Sequence, residues 1–318
     1  MSSDTGVLRT PESAFDNLLD YPFRPNYIDL ANPGSIGNGR TKLRLHYLDE
    51  GNKNSPDTIL LLHGEPSWSY LYRHFIPVLR QYRVIAVDLI GFGKSDKPAN
   101  KEDYTYQRHV NWIREFIEKL NLNNITLFCQ DWGSLIGLQL VGTNGVGDRF
   151  ARVAVANGGL PTGDGKISQG FLQWRNFAAQ QTEMDVGNVI KFGVVKDMKP
   201  EEIDAYNAPF PNEKYQAGAL IFPLLVPITP DNPSSEYNRQ AWKNLKNFRR
   251  PFLTLFSDSD PITAGLDKAL QSMIPGTKNQ PHTTITEAGH FLQEDKPHEI
   301  AEHLIKFIKN NPLVSSRL

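Results

Sequence analysis

Residues 125–138 read ITLFCQDWGSLIGL. The stretch opens on a continuous apolar run, Ile125 to Cys129, of the length and composition of a strand buried on both faces. It closes on an apolar segment that reads as a helix from Trp132 onward. Between them, Cys129-Gln130-Asp131-Trp132-Gly133 has the small-x-nucleophile-x-Gly form of a sharp strand-to-helix turn, whose small neighbours let the chain reverse and expose the central side chain. The central residue is Asp131, where a serine would be usual. Cys129 fills the small position and reads as a buried packing residue rather than a reactive thiol.

Outward from this turn the alternation repeats. Thr58–Leu62, Val84–Val87 and Val153–Ala156 are further short apolar runs, and Val110, Ile113, Ile117 and Leu120 recur between them at helical spacing. Leu43, Leu45 and Tyr47 alternate with polar residues after Asn38-Gly39, a tight-turn dipeptide, which predicts a β-hairpin. Strands alternating with helices predict an α/β fold with a mostly parallel sheet and helices on both faces. The alternation breaks near Asn157-Gly158-Gly159, becomes helical and loop-like to Pro230, and resumes with strand-like runs at 252–256 and 283–285 and a helix after Pro297. The expected organisation is a core of residues 1–157 and 231–318 and a helical cap, 158–230, inserted after the sixth strand. Ligands of such sheets bind beyond the carboxyl ends of the strands, so the cap is expected to cover that edge.

Composition excludes several classes. The 318 residues carry 34 Lys+Arg against 35 Asp+Glu, a net charge of −1, which lacks the basic excess of a nucleic-acid binder. A single cysteine excludes an intrachain disulfide framework or a multi-cysteine zinc site. No run approaches the ~20 apolar residues of a membrane span, and the start, MSSDTGVLRTPES, lacks a secretory pattern. The expectation is a soluble, cytoplasmic, monomeric protein with no metal and no cofactor.

Two more strand ends carry unusual residues. His63-Gly64-Glu65-Pro66 follows Thr58–Leu62; a backbone N–H from this loop and the one after the nucleophile form the oxyanion hole of such turns, here the amides of Glu65 and Trp132. Glu287-Ala288-Gly289-His290-Phe291 offers a late histidine, and Asp258-Ser259-Asp260-Pro261 lies upstream of it. Taken singly, an Asp such as Asp131 after a strand is most often a helix N-cap, and a loop histidine such as His290 is usually a solvated side chain. Together they follow the nucleophile, acid, histidine order of the α/β-hydrolase triad. Two decoys fall away: Gly91-Phe92-Gly93-Lys94-Ser95 lacks P-loop spacing, and His298 and His303 are five apart, where a zinc pair on a helix needs four.

HGEPSWSYLYR at 63–73, DLIGFGKSDKP at 88–98, QDWGSLIGL at 130–138 and AGHFLQED at 288–295 together resemble the haloalkane dehalogenases of the α/β-hydrolase superfamily. APFPNEKYQAG at 208–218 resembles the cap of the subfamily whose acid follows the late strand. That resemblance implies Asp131 as nucleophile, His290 as general base and Asp260 as its acid partner. Asp260 is preferred over Asp258 because it directly precedes Pro261, and Asn157-Gly158 leaves no carboxylate at the alternative acid position. It also implies Trp132 and Trp174 as the halide-binding pair. Phe171, Phe222, Pro223, Leu225 and Val226 are candidates to line the substrate slot, and each is equally a cap-core residue. Trp68, Trp112 and Trp242 read as packing.

The chemistry agrees with the residue types. An ionised aspartate can displace halide from saturated carbon without a base, and the alkyl ester it forms has a carbonyl carbon that water can attack. A serine would give an ether with no such exit. A departing halide requires donors in an apolar setting, and indole N–H is a donor only. The implied partners are a small halogenated hydrocarbon, water and the halide product. An epoxide hydrolase shares the aspartate but needs an acidic donor for its alkoxide, with Tyr206 and Tyr215 available; a fluoroacetate-type enzyme would need arginine at the pocket, and Arg175 is the lone cap arginine beside the site. A non-catalytic binder would have lost part of the triad.

Overall fold

The apolar runs pair as their composition demands. In the computed structural model, which describes residues 6–31, 36 and 41–313, the strands are β1 (Val7–Leu8), β2 (Asn26–Ala31), β3 (Lys42–Gly51), β4 (Thr58–Leu62), β5 (Arg83–Val87), β6 (Lys97–Pro98), β7 (Ile125–Gln130), β8 (Phe150–Ala156), β9 (Phe252–Ser257) and β10 (Thr283–Ile285). Eight of them form one sheet in the order β10-β9-β8-β7-β4-β5-β3-β2, while β1 and β6 pair separately. The six strands from β10 to β5 run parallel, and β3 and β2 close the other edge antiparallel. β4 and β7 are buried at every position, which is why they read as unbroken apolar runs. β2 and β3 form the expected hairpin, Ala31 opposite Lys42; Asn38-Gly39 lies outside the described residues.

Helices pack on this sheet through single apolar faces. Tyr106–Lys119 starts at Thr105, whose side chain accepts from the Arg108 amide, and buries Val110, Ile113, Phe116 and Ile117 along one stripe. The elbow helix, Trp132–Val141, is buried along its entire length. Its second residue is Gly133, where a Cβ would stand 2.1 Å from the Leu62 carbonyl oxygen, so the helix can begin this close to β4 only without a side chain there.

The sheet's sixth strand in chain order is β8, and five helices follow it before β9, the first four being Gln169–Gln180, Val186–Phe192, Pro200–Asn207 and Ala217–Leu225. They pack as pairs, the first against the fourth and the second against the third. The next helix, Ser235–Leu245, packs instead on the elbow helix. A buried charge network ties this helical excursion to the sheet: Arg73 and Lys196 both bridge Glu294 and Glu202, and Tyr206 donates to Glu294.

Candidate active site

Asp131 sits between β7 and the elbow helix at φ 50° and ψ −124°, a region that costs a non-glycine residue about 1–3 kcal/mol. Its backbone is fixed on both sides: its N–H donates to the Asn157 carbonyl at 3.0 Å, and its carbonyl accepts from the Ser134 amide at 2.9 Å and the Ser134 hydroxyl at 2.6 Å. The turn thereby delivers the carboxylate to the loop after β4, where the Glu65 amide donates to Oδ1 at 2.8 Å. Of the two amides expected to converge here, only that of Glu65 reaches the carboxylate. The loop packs tightly enough that a Cβ on Gly64 would lie 2.6 Å from the Asp131 Cβ.

The late loop brings in the histidine. His290 Nε2 lies 3.6 Å from Asp131 Oδ2, and Nδ1 lies 3.1 Å from Asp260 Oδ2, a close charge contact at an angle poor for an in-line hydrogen bond. Asp258 faces away, accepting from the amides of Glu287 and Ala288. Asp260, by contrast, is buried and accepts from the Ile262 amide at 2.8 Å and from the Thr263 hydroxyl. Burial works against its charge, but His290 and these donors hold its pKa down to about 2. Burial alone would likewise depress His290; the carboxylates of Asp260 and Asp131 outweigh it and lift the imidazole to about 10. Glu65, also buried, is held well above the usual carboxylate range by desolvation first and then by Asp131, so its side chain is a neutral acid beside the nucleophile. His63 accepts from the Leu89 amide through Nε2 and contacts the Gly64 carbonyl through Nδ1, a purely structural arrangement.

Two cavities meet at this carboxylate. One, of about 430 Å³, is bordered by Glu65, Trp174, Phe177, Phe192 and His290; the other, of about 780 Å³, by Trp132, Leu135, Phe171, Val226 and Trp242. Asp131 and Ile262 line both. Trp132 and Trp174, expected to share one slot, therefore border different cavities. Trp174 shares its cavity with Glu65, whereas the N–H of buried Trp132 meets no acceptor among the described residues. The other three tryptophans donate to backbone carbonyls: Trp68 to Ala205, Trp112 to Ala31 and Trp242 to Leu160.

The five slot candidates divide. Phe171 and Val226 line the larger cavity with Trp132. Phe222, Pro223 and Leu225 line neither: Phe222 is fully buried with its ring 4.4 Å from that of Trp132 and 4.7 Å from that of Phe92, behind the cavity wall. The helix Ala217–Leu225 turns these residues into packing between the excursion and the core. Cys129 is buried, as expected of a packing residue, and burial pushes its thiol up and out of reactive range.

Three further residues hold the site, and although the quoted stretches contain them, nothing in the sequence assigned them a role. Gln130 places its amide nitrogen 3.1 Å from His290 Nε2 and 3.2 Å from the His290 carbonyl. Asn157, the residue that leaves the alternative acid position without a charge, donates to the carbonyls of Gly289 and His290 and to the Ser257 hydroxyl. Asp295 accepts from the Gly289 amide and from those of Val195 and Lys196, fastening the histidine loop to the helical excursion. The only signal in the sequence was a polar residue at the end of an otherwise apolar strand, at Gln130 and Asn157.

This fold and constellation define an α/β hydrolase, and the family model described as alpha/beta hydrolase fold matches residues 57–191. The chain is 56% identical over 308 residues to a haloalkane dehalogenase of Psychrobacter cryohalolentis, covering 96% of this chain and 99% of that protein. It is 48% identical to one from Mycobacterium marinum, over 95% of this chain and 99% of the relative. Among solved structures, the tetrameric haloalkane dehalogenase DpaA from Paraglaciecola agarilytica superposes with a TM-score of 0.84 at 36% identity, over 93% of this chain and 96% of that one. The chain belongs to the haloalkane dehalogenase family, hydrolases acting on carbon–halide bonds.

Proposed function

We propose that the protein converts haloalkanes to an alcohol, a halide ion and a proton through a covalent ester on Asp131. Asp131 Oδ attacks the carbon bearing the halogen; the new C–O bond forms as the carbon–halogen bond breaks and the halide departs with the electron pair. Water then adds to the carboxyl carbon of Asp131 while His290 takes its proton, with Asp260 stabilising the imidazolium. The oxyanion develops on the oxygen facing the Glu65 amide, and a second donor, the Trp132 amide, joins it there. Collapse expels the alkoxide, which regains a proton from His290, and one water oxygen stays in the Asp131 carboxylate.

Charge couples the two halves. In the free enzyme two carboxylates raise His290 to about 10; alkylation turns Asp131 into a neutral ester and removes one of them, which lowers the imidazole pKa and leaves more of it neutral and able to take a proton in the second step. Glu65, held neutral, adds no further charge near the nucleophile. Trp132 and Trp174 are the halide donors in this reading. Each hydrogen bond to the anion is worth roughly 1.5–3 kcal/mol. In the same reading, residues 158–230 form the cap over a core of 1–157 and 231–318, and the protein works in the cytoplasm as a monomer. No helix among the described residues is long and apolar enough to cross a membrane. Light scattering separates a monomer from the tetramer reported for the Paraglaciecola relative.

The observation that carries the proposal is the unaccepted N–H of Trp132 in a cavity lined by Asp131, itself within ionic contact of His290. The test is halide release from 1-bromobutane beside an epoxide control: bromide release with no diol supports the reading, and diol formation without dehalogenation overturns it. The epoxide reading lacks its donors, since Tyr206 donates to Glu294 and neither Tyr206 nor Tyr215 borders the cavities. Arg175 also borders neither cavity.

A further inference from the structure

The two cavities that meet at Asp131 open under opposite charge. Around the first, the charged residues besides Asp131 and His290 are Glu183 and Asp185, both exposed at the rim; its lining holds no lysine or arginine. Around the second, besides Asp131, stand Lys166, Arg239, Lys243 and Lys246 against Asp164. Arg239 is committed to Asp164 at 3.3 Å and to Glu236 at 3.0 Å. The ammonium groups of Lys166, Lys243 and Lys246 make no hydrogen bond or ion pair among the described residues, and all three lysines are exposed. Trp132, whose N–H is unaccepted, also lines this second cavity.

The reaction proposed above, on which this inference rests, handles species of different charge. Haloalkane and alcohol are neutral and indifferent to the rims. The halide is an anion, and once the ester is hydrolysed it stands beside a regenerated Asp131 carboxylate that repels it. An acidic mouth opposes its passage; a mouth carrying unpaired lysines favours it, because a cleft lined by one sign of charge focuses the field on ions of the other. The apolar border of the first cavity, with Trp174, Phe177 and Phe192, suits the oily substrate instead. We propose that the two mouths divide the traffic: haloalkane enters through the cavity bordered by Trp174, and halide exchanges with solvent through the cavity bordered by Trp132 and rimmed by Lys166, Lys243 and Lys246.

The test mixes bromide rapidly with the full-length protein and follows quenching of tryptophan fluorescence, comparing the unaltered chain with Lys243→Gln/Lys246→Gln, Lys243→Glu/Lys246→Glu and Glu183→Gln. Single-turnover alkylation by 1-bromobutane is measured on each. The charge-reversed pair is expected to slow bromide association about three- to tenfold at low ionic strength, the Gln pair less, and both to converge on the unaltered chain near 1 M ionic strength in sodium sulfate, where screening is nearly complete. Alkylation rates should stay unchanged, which a general structural defect would not allow, and Glu183→Gln should leave bromide association as it was. Equal bromide rates in all chains at low salt, or a larger effect of Glu183→Gln than of the lysine pairs, would overturn the assignment of the routes. Failure of the unaltered chain to release bromide from 1-bromobutane would instead overturn the functional reading beneath it.

Discussion

The core loops and the helical excursion treat their site residues in opposite ways. In the core, Asp131, Glu65, Asp260 and His290 lie in loops beyond the carboxyl ends of parallel strands, and they are fixed by backbone donors or by a buried partner: the Glu65 amide on Asp131, Ile262 and Thr263 on Asp260, Asn157 and Gln130 on the His290 loop. In the excursion, the helix that carries Trp174 buries one residue, Ala178, and its aromatic rings Trp174 and Phe177 stack at the cavity border. Bond-making needs atoms held to a fraction of an ångström, so the sheet supplies it. Substrate shape is read by a thinner, more adaptable wall. A substitution in the core should therefore act on rate, and one in the excursion on which halide or chain is accepted.

The sharpest break of that comparison lies between two neighbouring carboxylates. Asp260→Asn removes the buried partner of His290 and is expected to lower dehalogenation by on the order of 10²–10⁴, while Asp258→Asn, which loses only loop hydrogen bonds, should cost less than tenfold; steady-state halide release on both variants decides, and the reverse order would move the acid to Asp258. Next come the indoles. Trp132→Phe should reduce turnover of chlorinated substrates about 10–100-fold, as expected for one donor to an anion. Trp174→Phe should weaken halide binding by less, because Trp174 borders the other cavity, away from Trp132. A larger loss from Trp174 than from Trp132 would place the principal halide donor in the excursion.

The smallest effects concern stability against pH. Asp260 and Glu294 are both held down to about 2 by cationic partners, against ordinary values of 3.8 and 4.5. Their contribution is fully present above those ordinary values and fades as pH falls through about 2, on the order of 1–3 kcal/mol each. His290 has the opposite sign: its raised pKa stabilises the fold below 6.5, and that contribution is lost as pH rises through about 10. Denaturant unfolding from pH 2 to 10 should show both flanks, and Glu294→Gln, which removes the charge that Arg73 and Lys196 share, should flatten the acid one. An unchanged acid flank would mean the network between excursion and core does not stabilise the fold.

The sheet was legible because its parallel strands are buried on both faces and so appear as unbroken apolar runs between helical stripes. The turn at Asp131 was legible because its geometry admits few residue types at 129 and 133. Pairing of Asp260 with His290 followed from chain order and from resemblance, and burial separates it from Asp258. Less could be read where tertiary packing decides: Phe222, Pro223 and Leu225 look like Phe171 and Val226 in sequence, and only the turn of their helix sends the first three behind the wall. Gln130, Asn157 and Asp295 act through hydrogen bonds to loops far away in the chain, and no local spacing encodes such contacts. The division of the two indoles between two cavities is of the same kind.

The central claim is that Asp131 is alkylated and that His290 serves only the second step. Intact mass spectrometry of His290→Phe after incubation with 1-bromobutane tests it directly. The account predicts one equivalent of bromide released and a butyl group retained on the peptide containing Asp131. An unmodified protein, or an adduct on any other residue, would contradict it.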